Sequence, residues 1–167
     1  MFSHNFNKKG NAILDSLTIV LIIFVMAIVS VVGYLAFDEI NTDMQADPSI
    51  GNLTKNMTGN LFNLYPSVLD GLFLMAFILL IIGVLVSVIF LDTHPVFFFV
   101  NLILLIIVFC VFTLLGNSYE ELMSGGELAV YANAFTYTSF IMSHIMPIGV
   151  AFGFILMIAL FIKMRKD

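Results

Sequence analysis

The sequence predicts an all-α integral membrane protein with four transmembrane helices, and three observations lead to that fold class. Of the 167 residues, 61% are hydrophobic and only 10% are charged, whereas a water-soluble domain carries about 25% charged residues. Four apolar segments without Asp, Glu, Lys or Arg are each long enough to cross a hydrocarbon core of about 30 Å as a helix. Backbone amides inside lipid must be paired within the segment, which selects helices over strands. Residues 1–167 are therefore expected to form one domain, with spans 17–37, 71–91, 96–115 and 140–162 and outer loops 38–70 and 116–139.

The basic residues predict that both termini lie on the inner side of the membrane. Lys8 and Lys9 precede span 1, and Lys163, Arg165 and Lys166 follow span 4. Inner flanks of membrane spans carry an excess of Lys and Arg, and an even number of spans brings both ends to that side. The two predicted outer loops agree with this orientation, because their charged residues are acidic apart from one lysine.

Between spans 2 and 3 there is room for only four residues, Asp92, Thr93, His94 and Pro95. Asp and Thr cap helix starts, and proline is favoured in the first turn, where its missing N–H leaves no backbone bond unmade. The run therefore predicts a tight helical hairpin. An Asp two residues from a His also suits a metal or proton-transfer site, but apart from His4 on the same side no further ligand is evident, and we favour the turn.

Two polar side chains are expected inside the spans. His144 lies one turn inside the outer end of span 4, and Asn101 lies in span 3. An ionisable residue within the membrane suggests function by default, but no charged residue is predicted beside His144. We favour hydrogen bonds between helices for both residues. Pro147 is expected to kink span 4, with Ser143 able to bond a freed carbonyl.

Small residues at regular spacing predict faces where helices approach closely. They occur in span 4 at Gly149 and Gly153, in span 2 at Gly83 and Ser87, and in span 1 around Gly33. Such faces serve either the folding of one bundle or the association of several copies, and the pattern is compatible with both.

The predicted outer loop 38–70 contains turn signals at Asp47-Pro48 and at Tyr65-Pro66-Ser67. It also contains two matches to the N-glycosylation pattern, beginning at Asn52 and Asn56. Chance matches are common where Asn and Thr are frequent, so these two remain an open alternative to plain surface residues.

The N-terminal stretch Lys8-Lys9-Gly10, followed by Asp15 and a long apolar helix, resembles the type IV pilin and pseudopilin signal. The resemblance implies cleavage after Gly10, with an acid at the fifth mature position. It covers about 25 residues, the acid is Asp rather than Glu, and three further spans follow. The same residues also suit a simpler interpretation, in which the lysines hold the inner side and Asp15 or Asn11 caps the first helix.

Several function classes find no support in the sequence. It contains no Gly-rich phosphate loop, no HExxH motif, no Ser/His/Asp arrangement and no paired carboxylates at membrane depth. We therefore expect no enzymatic activity, no cofactor and no metal. Neither tail carries the long basic arm of a nucleic-acid binder, and the expected partners are the lipid bilayer, further copies of the chain, or other membrane or shell proteins.

A lysine-flanked N-terminal anchor, the DTHP hairpin and a short basic tail together resemble the small polytopic membrane proteins of tailless, lipid-containing viruses and phages. The resemblance implies a structural virion component that links lipid to a protein shell, in a virion inner membrane; a cell membrane is the other location left open. A holin-like lysis protein and a small subunit of a transport complex remain alternatives.

Overall fold

The computed structural model describes residues 12–90 and 95–164. Within these ranges every regular element is a helix and no strand occurs, so the all-α prediction is confirmed there. The pilin-like residues up to Asn11 and the hairpin residues Asp92, Thr93 and His94 lie outside the described ranges. Pro95 is the first residue of its helix, a position that suits proline. The helices are α1 (Ala12–Ala46), α2 (Asn52–Phe90), α3 (Pro95–Ser124), α4 (Leu128–Ala132), α5 (Thr136–Ser143) and α6 (Ile145–Met164).

Within the described residues, three stretches are long and apolar enough to cross a membrane: Val20–Ala46, Asn52–Val86 and Leu102–Ser124. Helices α5 and α6 form a bent pair that would supply a fourth. The structure is thus compatible with a multi-pass integral membrane protein.

The segment expected as outer loop 38–70 is helical except at residues 47–51. The chain reverses at the predicted Asp47-Pro48 turn, where Asp47 Oδ1 accepts bonds from Ser49 N at 2.8 Å and Ser49 Oγ at 2.7 Å. The turn predicted at Tyr65-Pro66-Ser67 is wrong, because Pro66 lies inside α2. The Pro66 side chain is buried against the bundle. The free energy gained from this packing outweighs the loss of the one backbone hydrogen bond that proline cannot make.

Helices α1 and α2 pack antiparallel, but not in the register that the ends of the predicted spans suggest. Aligned end to end, spans 17–37 and 71–91 would place Phe37 beside Gly71. Phe37 instead packs against Phe62, with ring centroids 5.9 Å apart, and against Tyr65 at 5.8 Å. Phe62 precedes Gly71 by nine residues, which is about 13 Å along a helix. The apolar segment of α1 is therefore displaced toward the 47–51 turn relative to that of α2.

The segment expected as outer loop 116–139 is also largely helical. Helix α3 continues to Ser124, and α4 and the start of α5 occupy much of the remainder. Gly126 permits the intervening turn through a positive φ of 65°.

The predicted span 4 is broken rather than kinked at its proline. Helices α5 and α6 meet at 67° with the break at His144, three residues before Pro147. Pro147 has no N–H for the carbonyl of Ser143, and its ring crowds that carbonyl, which weakens the helix at this point.

The interior of the bundle is apolar except at Asp70 and Thr138, and many large apolar side chains on its periphery are exposed. The cavity found between α1, α2, α3 and α6 has a volume of about 40 Å³ and is lined by apolar residues, among them Ile23, Phe77 and Phe112. This lining offers a water molecule no polar partner.

Candidate functional site

The most concentrated polar chemistry in the described structure surrounds Asp70 of α2, a carboxylate that is only 4% exposed. Asp70 Oδ1 accepts bonds from Thr138 N at 2.7 Å and from Thr138 Oγ1 at 2.8 Å. Its Oδ2 accepts a bond from Tyr137 N at 2.9 Å. Three donors of one short helix therefore converge on a single side chain of another.

These bonds arise because α5 begins at Thr136 after Phe135, whose backbone is not helical and whose side chain makes no cap. The first backbone N–H groups of a helix have no partner within it and carry a partial positive charge. Asp70 supplies the missing acceptor from a neighbouring helix. The protein's own carboxylate thus occupies a helix terminus of the kind that binds anions.

The depth of Asp70 differs according to whether it is measured from the end of the apolar segment of α1 or of α2. Asp70 follows Phe62 by eight residues along α2, and Phe62 packs against Phe37, the end of predicted span 1. Measured from α1, Asp70 therefore lies about 12 Å from the end of predicted span 1, on the side away from the 47–51 turn. By the apolar run of α2 itself, which begins at Gly71, it lies at the membrane edge.

A second polar chain joins α3 to α5 and to the end of α4. Tyr119 is 2% exposed, and its hydroxyl lies 3.2 Å from Ser139 Oγ. Ser139 Oγ donates to the carbonyl oxygen of Ala132 at 3.1 Å. In the described residues no buried side-chain nitrogen or oxygen lacks a hydrogen-bond partner, so the Asp70 and Tyr119 groups bond within the protein.

Outward of Asp70, aromatic rings tie the α1–α2 pair to α4. Tyr34 stacks on Phe62 and Tyr65, with centroids 4.7 Å and 5.8 Å away, and meets Tyr131 edge-on at 5.6 Å. The Tyr131 hydroxyl donates to Asp38 Oδ2 at 2.6 Å. This hydrogen bond, with smaller effects of burial and of nearby carboxylates, raises the pKa of Tyr131 to about 12.

His144, one of the two intramembrane polar residues predicted from the sequence, does not belong to the Asp70 group. His144 is exposed and stacks on Phe140 with centroids 4.5 Å apart. Its Nδ1 lies 2.9 Å from the carbonyl oxygen of Phe140, four residues earlier, so this bond stays within the broken span instead of joining two helices. Asn101 is in α3, and its side chain lies outside the described part.

Of the predicted small residues, those in span 4 and span 1 lie against other helices. A Cβ at Gly149 would collide with the ring of Phe112, and one at Gly153 would stand 2.8 Å from the ring of Phe109. A Cβ at Gly33 would collide with the hydroxyl of Tyr65.

In α2 the situation differs, because a Cβ at Gly83 would meet nothing within 4 Å. The side chain of Ser87 lies outside the described part. Whether any of these positions also serves association between copies stays a prediction.

Sequence reasoning missed the part played by Asp70, which was counted only as one acidic residue of an outer loop. The available signal was its position directly before an apolar run, but its partners Tyr137 and Thr138 are far away in sequence. Among the described residues, no group of three His, Cys, Asp or Glu side chains could hold a metal ion.

Comparison with known proteins leaves this description to stand by itself: no protein-family model, curated protein or solved structure matches the chain.

Proposed function

We propose that this chain is a non-enzymatic structural protein of a membrane assembly, in which the α1–α2 hairpin is the part that reaches out to the rest of the assembly. The observation that carries the proposal is the length of that hairpin. Helices α1 and α2 contain 35 and 39 residues, or about 52 Å and 58 Å, against a hydrocarbon core of about 30 Å.

The hairpin is built as a rigid arm. Aromatic stacking between Tyr34, Phe62 and Tyr65 holds its middle. Near its tip, Lys55 Nζ donates to the carbonyl oxygen of Gln45 at 2.7 Å, and Gln45 Nε2 donates to that of Lys55 at 2.8 Å. An arm braced in this way transmits position from the membrane to whatever it contacts, which is the task of a scaffold.

The assembly that we propose is a virion with an internal membrane, where the arm links lipid to the protein shell. Its support is the resemblance described above to small polytopic proteins of lipid-containing viruses. In this proposal the arm lies on the outer side of the membrane. Both termini and the DTHP hairpin between spans 2 and 3 lie on the inner side.

The proposal is tested in the native source of the chain by disrupting cells without detergent and separating particles by density. We expect the chain to co-sediment, in many copies, with a particle that contains both lipid and a protein shell. Recovery only from bulk cell membrane would contradict this.

A second test separates the proposal from the holin alternative. The full chain is expressed alone in bacteria while a voltage-sensitive dye reports the membrane potential. A structural protein should leave the potential unchanged, whereas abrupt depolarisation would identify a lysis protein.

A transport subunit remains the second candidate because of one observation, the break between α5 and α6, the first of which is capped at its start by the buried Asp70. Broken helices line substrate sites in several transporter folds. Reconstitution in vesicles with a pH-sensitive dye inside tests for proton flux. Flux that disappears in Asp70→Asn would favour this candidate over the structural one.

A further inference from the structure

Helix α2 carries an unbroken line of large apolar side chains on its exposed face. The line begins with Leu53, Met57, Leu61, Leu64 and Val68, which are 53–75% exposed. It continues at intervals of three or four residues through Leu72, Met75, Leu79 and Ile82 to Val86. We call this the α2 stripe.

The spacing of the stripe suits a long helix–helix contact. Leu53, Leu64, Met75 and Val86 follow one another at intervals of 11 residues. An 11-residue repeat corresponds to about 3.67 residues per turn, so the line drifts little around the helix. A second helix can therefore follow it over its whole length. The line also passes Gly83, where close approach of another helix is possible.

Lipid does not cover the outer end of the stripe. The paired bonds between Gln45 and Lys55 place Leu53 and Met57 at the level of Asp43 and Asp47 of the hairpin. Both acids are exposed, and ionised carboxylates remain in water rather than among acyl chains. The stripe thus starts in the aqueous layer and runs down into the membrane.

We infer that the α2 stripe is the contact between two copies of this chain, arranged about a two-fold axis along the membrane normal. The stripe has an outer part in water and an inner part in lipid. A helix that covers it must therefore be apolar along both parts. A second copy meets this condition automatically, because two-fold symmetry sets each residue of the stripe beside its own counterpart.

Charge is compatible with this pairing even though the chain has a net charge of −5. The residues that run parallel to the outer part of the stripe are exposed asparagines, Asn52, Asn56, Asn60 and Asn63. An Asn side chain is uncharged and both donates and accepts, so this row can face a second copy without repulsion.

The stripe offers a contact as large as that of a standard dimer, in which burial from water stabilises the outer part and side-chain packing the part in lipid. A half-exposed Leu, Met or Val presents roughly 100 Å² of apolar surface, so the ten side chains of the stripe offer on the order of 1,000 Å² per copy. A standard stable interface uses about 800 Å² per partner.

The test is disulfide cross-linking of single-cysteine chains in lipid vesicles, in a Cys110→Ala background. Met57→Cys lies on the stripe, and Thr42→Cys is its control at a similar height on α1, where it is also exposed. We expect at least tenfold more cross-linked dimer from Met57→Cys. Equal yields at the two positions would overturn the inference.

A second measurement uses energy transfer between labelled copies to obtain the dimer dissociation constant in vesicles. Met57→Gln should raise it at least tenfold. Ile40→Gln is the matched control, because Ile40 of α1 is 55% exposed and Met57 is 58% exposed, and it should change the constant less than twofold. A monomeric wild-type chain, or equal effects of the two variants, would overturn the inference.

The inference rests on the proposed function, which it deepens by naming the first partner, yet the two fail separately. A chain that is monomeric in vesicles but present in a shelled particle would overturn the dimer and leave the structural function standing. A chain that dimerises along the stripe and depolarises bacteria would support the dimer and overturn the structural function.

Discussion

Among single residues, Asp70 is expected to contribute strongly to the stability of the fold, because three donors depend on its side chain. Asp70→Ala would leave Tyr137 N, Thr138 N and the Thr138 hydroxyl without their acceptor. An unsatisfied buried donor costs about 1–3 kcal/mol. We therefore expect Asp70→Ala to lower the free energy of unfolding in detergent by ~2–4 kcal/mol, measured by thermal or denaturant unfolding.

Ser67→Ala is the control for Asp70→Ala, because Ser67 is an exposed residue one turn earlier on the same helix. It should change stability by less than about 0.5 kcal/mol. Thr138→Val removes only the hydroxyl donor and should lie between the two. If Asp70→Ala unfolds like wild type, the cap does not hold α5.

Tyr131 provides a pH prediction at the same scale. Its hydrogen bond to Asp38 raises its pKa from 10.0 to about 12 in the folded protein. Since the folded pKa exceeds the unfolded one, the resulting stability is complete below pH 10 and is lost as the pH rises from 10 to about 12. Phenolate absorbance, taken as the difference between wild type and Tyr131→Phe, measures this ionisation.

Asp38→Asn is the matched variant for the Tyr131 prediction, because it removes the carboxylate charge and keeps an acceptor. It should shift the pKa of Tyr131 downward. A difference spectrum with the same midpoint in both backgrounds would show that Asp38 does not control this hydroxyl.

At the scale of elements, the break between α5 and α6 is held by packing more than by its proline. Pro147→Ala restores one backbone hydrogen bond, worth about 0.5–1.5 kcal/mol. Against it stand the three bonds to Asp70 and the buried side chains of Ile141, Met142 and Ile145. We therefore expect the 67° bend to persist in Pro147→Ala.

Spin labels at Thr136 and Phe161, both exposed, measure the bend by their separation in a Cys110→Ala background. Straightening would lengthen the distance between the labels by roughly 5 Å, given a rise of 1.5 Å per residue along α5 and along α6 up to Phe161. A shift of this size in Pro147→Ala would mean that the proline alone maintains the bend.

The contact between α3 and α6 supplies a second element-scale prediction. Gly149→Ala places a methyl group where the ring of Phe112 now lies, and overpacking of this kind costs about 1–3 kcal/mol. Gly71→Ala is the control, since its Cβ would meet nothing within 4 Å. Only Gly149→Ala should lower the unfolding temperature, and adding Phe112→Leu should restore part of the loss.

At the scale of the whole molecule, the orientation in the membrane remains to be measured. With both termini inside, the 47–51 turn lies outside and the DTHP hairpin inside. Ser49→Cys should react with a membrane-impermeant thiol reagent in intact cells, and Asp92→Cys only after permeabilisation, each in a Cys110→Ala background. Reaction of both from the same side would refute the four-span topology.

What sequence patterns predicted well are the properties that depend on neighbouring residues. The helical class and the turn at Asp47-Pro48 follow from apolar runs and local turn chemistry. The polar composition of 38–70 did not reveal that most of this segment is helical, because composition marks residues as polar, not as non-helical. Polar residues between Phe37 and Ala46 continue α1 because α2 packs beside them.

The sequence by itself determined that this chain forms apolar helices suited to lipid, because hydrophobicity and backbone pairing act over a single segment. Only the tertiary structure decided that α1 lies about 13 Å out of the expected register, and that Asp70 caps α5. It also decided which face of α2 stays exposed. The physical reason is that register, caps between helices and free faces depend on which distant side chains meet, and a run of residues along one chain does not encode that locally.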